Sequence, residues 1–134
     1  MKVVPVPQLS DNYAYLVIDE DSGVAGVVDC AEADAVAEAA AAEGIELVAI
    51  LPTHHHFDHV GGNDDLLARF PDLSVYGYRG QAERIPGCTE EVGDGDIVRV
   101  GALAARILYI PAHTSGHIAY HFAGDHALFC GDTL

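Results

Sequence analysis

Apolar and polar positions divide the chain into many short strands and a few helices. Val3 to Val6, Tyr13 to Ile18 and Val24 to Val28 are runs rich in β-branched or aromatic residues between polar turns. They predict three strands, the last two joined by a turn over Asp19 to Gly23. The Ala-rich stretch Ala31 to Glu43 carries Glu32 at its start and Gly44 just past its end, which predicts a helix closed by a glycine C-cap. Leu47 to Leu51 is apolar without a break, as in a strand buried on both faces. A second helix is predicted from Gly61 or Gly62 to Phe70. Asp64 and Asp65 in its first turn suit the helix dipole, and Pro71 stops it.

Beyond Pro71 the pattern is mostly strand. Leu73 to Tyr78 predicts a short one, and Arg79 to Glu91 shows no period and reads as irregular. Asp96 to Val100 with Ala102 to Ile110 predicts a hairpin about Gly101. Ile118 to Ala123 with Ala127 to Cys130 predicts another about Gly124-Asp125. No repeat, linker or low-complexity tract beyond the Ala-rich helix breaks this order, so the 134 residues are expected to form one domain with a real core. Strands and helices are mixed along the chain, with strands in the majority, which places the fold in the α/β (α+β) class.

Composition narrows the picture further. Half of the residues are apolar, so a disordered chain is excluded. No run approaches the ~20 apolar residues that a membrane span requires. Met1-Lys2 leads straight into the first strand with no basic-then-apolar leader and no Arg/Ser-rich transit peptide, so a cytoplasmic location is expected. The three cysteines, Cys30, Cys88 and Cys130, are odd in number and far apart, which argues against a disulfide framework and for a reducing compartment. Cys130, inside an apolar run, is expected to be a buried small hydrophobe. Six Lys and Arg against 21 Asp and Glu give a formal charge of −15, which excludes nucleic acid and anionic membrane surfaces as partners.

The candidate chemistry begins at Thr53-His54-His55-His56-Phe57-Asp58-His59-Val60-Gly61-Gly62-Asn63, directly after the predicted strand ending at Leu51. Imidazole and carboxylate are together the ligand set for zinc, iron or manganese. In an extended or tightly turned segment successive side chains diverge, so His54 and His56 can share one ion while Asp58 and His59, beyond the turn, reach a second. An internal cluster that includes a carboxylate and ends in Gly-Gly is no purification tag, and a solvated loop has no need of four histidines in six positions. Two later segments repeat the placement of a potential ligand just past a predicted strand. His113 follows the run ending at Ile110, within Ile110-Pro111-Ala112-His113-Thr114-Ser115-Gly116-His117, and Asp132 follows Phe129-Cys130-Gly131. Sites on such scaffolds collect at strand ends.

In this order, THHHFDHVGGN, PAHTSGH and FCGDTL resemble the motifs of the metallo-β-lactamase superfamily, whose general signature is His-x-His-x-Asp-His. Within it the chain looks most like glyoxalase II, the hydroxyacylglutathione hydrolases, by His55, Gly61-Gly62-Asn63 and Thr114-Ser115-Gly116-His117. Ser10-Asp11-Asn12-Tyr13 and Val27-Val28-Asp29 also look like that family's N-terminal hairpin. The resemblance runs from Val3 to Leu134. It implies the first half of an αββα sandwich, with mixed sheets, outer helices and the metals at the shared edge. It further implies two divalent metal ions, zinc in the first place, with iron and manganese as alternatives. His54, His56 and His113 would hold the first ion, Asp58 and His59 the second, and Asp132 would bridge them. His55 matches a position that is not a ligand, and His117 a supporting hydrogen-bond partner. His121 and His126 are expected to be ordinary surface or edge residues.

The implied reaction is metal-assisted hydrolysis of a glutathione thioester, S-lactoylglutathione and water giving lactate and glutathione, with Asp58 orienting the attacking water while ligating. In the family a further His ligand, the glutathione-contacting residues and a C-terminal helical domain follow the Gly-Asp-Thr segment. The domain over residues 1–134 is therefore expected to be truncated, catalytically incomplete and open to self-association through an uncovered apolar sheet face. Other hydrolases or persulfide dioxygenases of the same superfamily, and a metal-binding half-domain without turnover, are the alternative readings.

Overall fold

In a computed structural model, residues 1–111 and 113–132 are described. The chain opens with a meander of three antiparallel strands, β1 (Lys2–Gln8), β2 (Asn12–Asp19) and β3 (Val24–Val28). Helix α1 (Ala33–Glu43) then crosses back so that β4 (Glu46–Leu51) lies parallel to β3. Gly44, at φ 67, ends that helix as the sequence predicts, and its N–H reaches back to Ala40 and Ala41 O.

After β4 come two short helices, α2 (Phe57–Val60) and α3 (Asn63–Arg69), and then the parallel strands β5 (Ser74–Tyr78) and β6 (Glu90–Val92). A 3₁₀ segment, Arg79–Arg84, links the last two strands. These six strands form one sheet in the order β1-β2-β3-β4-β5-β6. The remaining strands, β7 (Ile97–Val100), β8 (Leu103–Tyr109), β9 (Ile118–Phe122) and β10 (Ala127–Phe129), form a separate antiparallel sheet.

Alternation along the strands sorts the core into two layers. Leu16, Ile18, Val27 and Ile50 point to one side of the first sheet, where Val36 and Ala40 of α1 and Leu66 of α3 cover them. Val17, Val28, Ala49 and Leu51 point to the other side and meet Val98, Val100, Ile107, Ile118, Tyr120 and Phe122 of the second sheet. The apolar sheet face that the sequence leads one to expect uncovered is covered here by the second sheet. The hairpins after Asp96 do not join the first sheet; they fold across it as a second sheet, and the facing surfaces close over each other. The outward side of the second sheet is mixed in character, with Arg99, Arg106 and His121 alongside the half-exposed Ile97 and Leu128.

Two smaller expectations also change. Cys130 is only partly buried, because it follows the short edge strand β10, whereas Cys30 is fully buried and its thiol is pushed up to about 12 by that burial. The segment that reads as irregular, Arg79 to Glu91, contains the 3₁₀ turn and the start of β6.

Tyr120 ties the second sheet to the loop that leaves β4. It is fully buried, and its hydroxyl donates to Pro52 O at 2.7 Å. Close by, Ile118 N–H donates to Thr53 O at 2.8 Å. Tyr120→Phe leaves a buried carbonyl without its donor and is expected to destabilise the chain by about 1–3 kcal/mol. Urea unfolding of the metal-free protein checks this, and an unchanged midpoint would contradict it.

Candidate metal centre

All six candidate ligands lie at one edge of the sandwich, where the two sheets meet. His54, His56, Asp58 and His59 follow β4, His113 follows β8 and Asp132 follows β10. The segment leaves β4 extended, with His56 at φ −62, ψ 144, and then turns into the single helical turn α2, which carries Asp58 and His59. One ligand atom from each of His54, His56, His113 and Asp132 lies within 4.8 Å of the others, and the same holds for Asp58, His59 and Asp132. Asp132 belongs to both groups. Its Oδ2 stands 3.1 Å from His59 Nε2, 3.3 Å from His113 Nε2 and 3.6 Å from His54 Nε2. His113 Nε2 and His56 Nδ1 are 2.9 Å apart, and His59 Nε2 is 3.4 Å from Asp58 Oδ2.

These donors fit divalent ions. His54 Nε2 is buried and has no hydrogen-bond partner among the described residues, yet it faces the other three donors of its group. A buried lone pair left without a hydrogen is costly unless a cation takes it. Burial, followed by the neighbouring imidazoles His59, His117, His56 and His113, pushes the His54 pKa down to about 2, so the ring is neutral and ready to ligate. The fold and its His/Asp clusters are compatible with a dinuclear divalent metal site.

Asp29 organises both groups from behind. Its buried carboxylate accepts from Thr53 N–H at 2.7 Å and Thr53 Oγ at 2.9 Å, and it lies 2.9 Å from His59 Nδ1. Thr53 Oγ in turn stands 2.9 Å from His54 Nδ1. With the Thr53 hydroxyl donating to Asp29, His54 Nδ1–H donates to Thr53 Oγ, which leaves Nε2 as the free lone pair. For His59, burial alone would lower the pKa. The hydrogen bond and charge of Asp29, with the charges of Asp132 and Asp58, outweigh burial and raise it to about 9.

Asp29 sits at φ 59, a conformation an acidic residue tolerates better than most. Gln8, itself buried, holds that turn: its Nε2 donates to Asp29 O at 2.8 Å and its Oε1 accepts from Ala31 N–H at 2.9 Å. Asn12 Nδ2 donates to Asp58 O at 2.6 Å and so pins α2. The sequence points to Asp29 and Asn12 only as hairpin landmarks and gives no sign of Gln8.

Four histidines stand apart from the two groups, and the first of them, His55, lies beside the His56 ring at 5.1 Å without joining either group. His117 does not act as the expected hydrogen-bond partner: both ring nitrogens lack partners among the described residues. It is fully buried and stacks on His54 at 4.4 Å and 17°. Gly131, at φ 55, lets the backbone pass there, since a Cβ would come within 2.9 Å of His117 Nε2. His121 and His126 lie on and beside the β9–β10 hairpin, away from the site. Beside His59 and Asp132 a cleft of about 430 Å³ opens between the β1–β2 side of the first sheet and β10 of the second, walled by Tyr13, Tyr15, Phe129 and Cys130.

The sequence profile of the Metallo-beta-lactamase superfamily matches residues 9–134, a span that includes every residue of both groups. The chain belongs to this superfamily. As a metallo-beta-lactamase superfamily member, it is 55% identical over 126 residues to the hydroxyacylglutathione hydrolase of Gloeobacter violaceus, covering 94% of this chain and 50% of that protein. It is 47% identical over 134 residues to the hydroxyacylglutathione hydrolase of Methylococcus capsulatus, covering all of this chain and 52% of that protein. The chain spans about half the length of the curated relatives it matches.

Among solved structures, ETHE1 from Myxococcus xanthus superposes with a TM-score of 0.86 at 30% identity, over 100% of this chain and 58% of that one. The BLEG-1 B3 metallo-beta-lactamase superposes with a TM-score of 0.88 at 23% identity, over 99% of this chain and 73% of that one, and shows the shared fold alone. No helix among the described residues is long and apolar enough to cross a membrane.

Proposed function

We propose that residues 1–134 are the metal-holding part of a cytoplasmic hydrolase of glutathione thioesters, with S-lactoylglutathione as substrate and zinc as the metal. The observation that carries the reading is Asp132 Oδ2 within 3.6 Å of the Nε2 atoms of three histidines, which is what a carboxylate shared by two ions requires. The names of the curated relatives support the substrate class. The three free cysteines agree with a reducing compartment.

His54, His56 and His113 with Asp132 would hold one ion, and Asp58, His59 and Asp132 the other. When bound, such a pair supplies an activated water and a Lewis acid for the thioester carbonyl oxygen. Asp58, half-exposed at the mouth, accepts a hydrogen bond from the attacking water and aims it at the carbonyl carbon. Thr53 and Asp29 keep the imidazoles in the tautomers the reaction needs. The departing thiolate is a stable anion, with thiol reference pKa values near ~8.5, so no side chain has to protonate it.

Zinc-loaded protein assayed with S-lactoylglutathione, beside His56→Ala, tests the reading. Turnover that disappears in His56→Ala supports it. Turnover of a β-lactam or a persulfide but not of the thioester would replace it with a sister reaction; zinc binding without turnover agrees with a chain that spans half of its relatives' length, whereas zinc binding left unchanged by His56→Ala would overturn the metal-holding role.

A further inference from the structure

The loop that delivers His113 is held two residues further on, at Ser115, by groups that belong to neither candidate cluster. Gln81, in the 3₁₀ segment after β5, donates from Nε2 to Ser115 Oγ at 2.8 Å. Tyr109, the last residue of β8, donates from its hydroxyl to Ser115 O at 2.6 Å. The Tyr109 ring is fixed in turn: it stacks face to face on Tyr78, with centroids 4.4 Å apart and planes 4° from parallel. Its backbone N–H donates to Asp94 Oδ1 at 2.9 Å. Next to Ser115, Gly116 is buried against Gln81, and a Cβ there would come within 2.8 Å of Gln81 Cβ. Ile110 N–H donates to His117 O at 2.9 Å, which closes the base of the loop.

We propose that Gln81 and Tyr109, through Ser115, are positioning residues that set where His113 stands relative to His56 and Asp132. The inference rests on reading His113 as a ligand. His54 and His56 leave β4 directly and are placed by the first sheet. His113 is partly exposed and arrives on a loop from the second sheet, so its place has to be fixed from outside the cluster. Gln81 belongs to the first sheet's connections and Ser115 to the second sheet's, so their hydrogen bond spans the same seam that the ion would span. A ligand displaced by a fraction of an ångström loses affinity directly, since ligand distances tolerate only about ±0.2 Å. Neither Gln81 nor Tyr109 needs to touch metal or substrate to have this effect.

The test uses the full chain with one equivalent of metal. Zinc affinity is measured by competition with a chromophoric chelator, and the visible bands of the cobalt-substituted protein report ligand geometry. Gln81→Ala and Ser115→Ala are each expected to weaken binding about tenfold, at the low end of the effect of removing a supporting residue. The double variant is expected to be no weaker than either single, because both remove one bond. Tyr109→Phe keeps the stack on Tyr78 and the fold. It is expected to weaken binding by a similar factor and to shift the cobalt bands.

Unchanged zinc affinity and unchanged cobalt bands in Gln81→Ala and Tyr109→Phe would overturn the proposal, even if both variants melt lower, since a merely structural role moves stability alone. Additive effects in the double variant would also overturn it. A His113→Ala protein that binds the first equivalent as tightly as the unsubstituted chain would remove the ligand reading itself, and the positioning role with it.

Discussion

Asp29→Ala is expected to lower zinc affinity at both candidate clusters by about a hundredfold, the upper end of what loss of a supporting carboxylate does. The carboxylate is the shared partner of Thr53 N–H, Thr53 Oγ and His59 Nδ1. Without it His59 loses the acceptor that fixes its ring, and Thr53 loses the one that turns its hydroxyl away from His54. Both effects reach an ion, one directly through His59 and one through the hydroxyl to His54 Nδ1. Alanine also tolerates φ 59 poorly, so part of the loss is a shift of the backbone itself.

Asp29→Asn separates the two causes. Asparagine accepts this backbone conformation and keeps one oxygen for Thr53 N–H, but its amide nitrogen cannot accept from His59. It is expected to fall between alanine and the unsubstituted chain, with the Asp58–His59–Asp132 cluster hurt more than the other. Titration with a competing chelator measures both steps. Two full-strength steps in Asp29→Asn would show that the carboxylate charge is irrelevant.

Acidification from about pH 8 to pH 6 is expected to weaken the Asp58–His59–Asp132 cluster about a hundredfold, because each unit below a ligand's pKa costs up to tenfold in apparent affinity. The sign follows from the shifts at the two sites. His59, raised to about 9, carries a proton across this range that an ion has to displace, and the proton competes harder as pH falls. His54, lowered to about 2, carries none, so this ligand meets no such competition. The ion at the second cluster should therefore leave first. Metal content per chain after dialysis at stepped pH checks the order. Simultaneous loss of both ions would contradict it, as would earlier loss from the histidine-rich cluster.

Much of this architecture is legible in the residues, for identifiable reasons. Strands such as Tyr13 to Ile18 are apolar without a break because one face meets helices and the other meets a sheet. The stop of α1 is visible in Gly44, since a left-handed residue there favours glycine. The candidate ligands stand out because histidine and aspartate recur just past apolar runs, where the chain leaves a sheet edge.

What stays hidden depends on contacts distant in sequence. β6 escapes notice because an edge strand with Glu90 and Glu91 facing solvent needs no apolar pattern. The role of Gln8 depends on a turn 21 residues away, and the stack of His117 on His54 depends on two sheets meeting. Whether the hairpins after Asp96 extend the first sheet or cross it is likewise decided by packing, since Ile107 and Tyr120 would be apolar inward-facing residues in either case.

Each sheet is made of strands consecutive in the chain, β1 to β6 and then β7 to β10. Each can form between strands that follow one another in the chain, while the two meet only through contacts remote in sequence. Both candidate clusters take ligands from both sheets, with four residues after β4 on one side and those after β8 and β10 on the other. An ion bound to such a set recognises only the docked arrangement, and by mass action it opposes any fluctuation that parts the two layers. Metal loading at the proposed site is thus expected to fasten the seam between the layers like a rivet. Amide exchange along β8 and β9 is where the fastening registers.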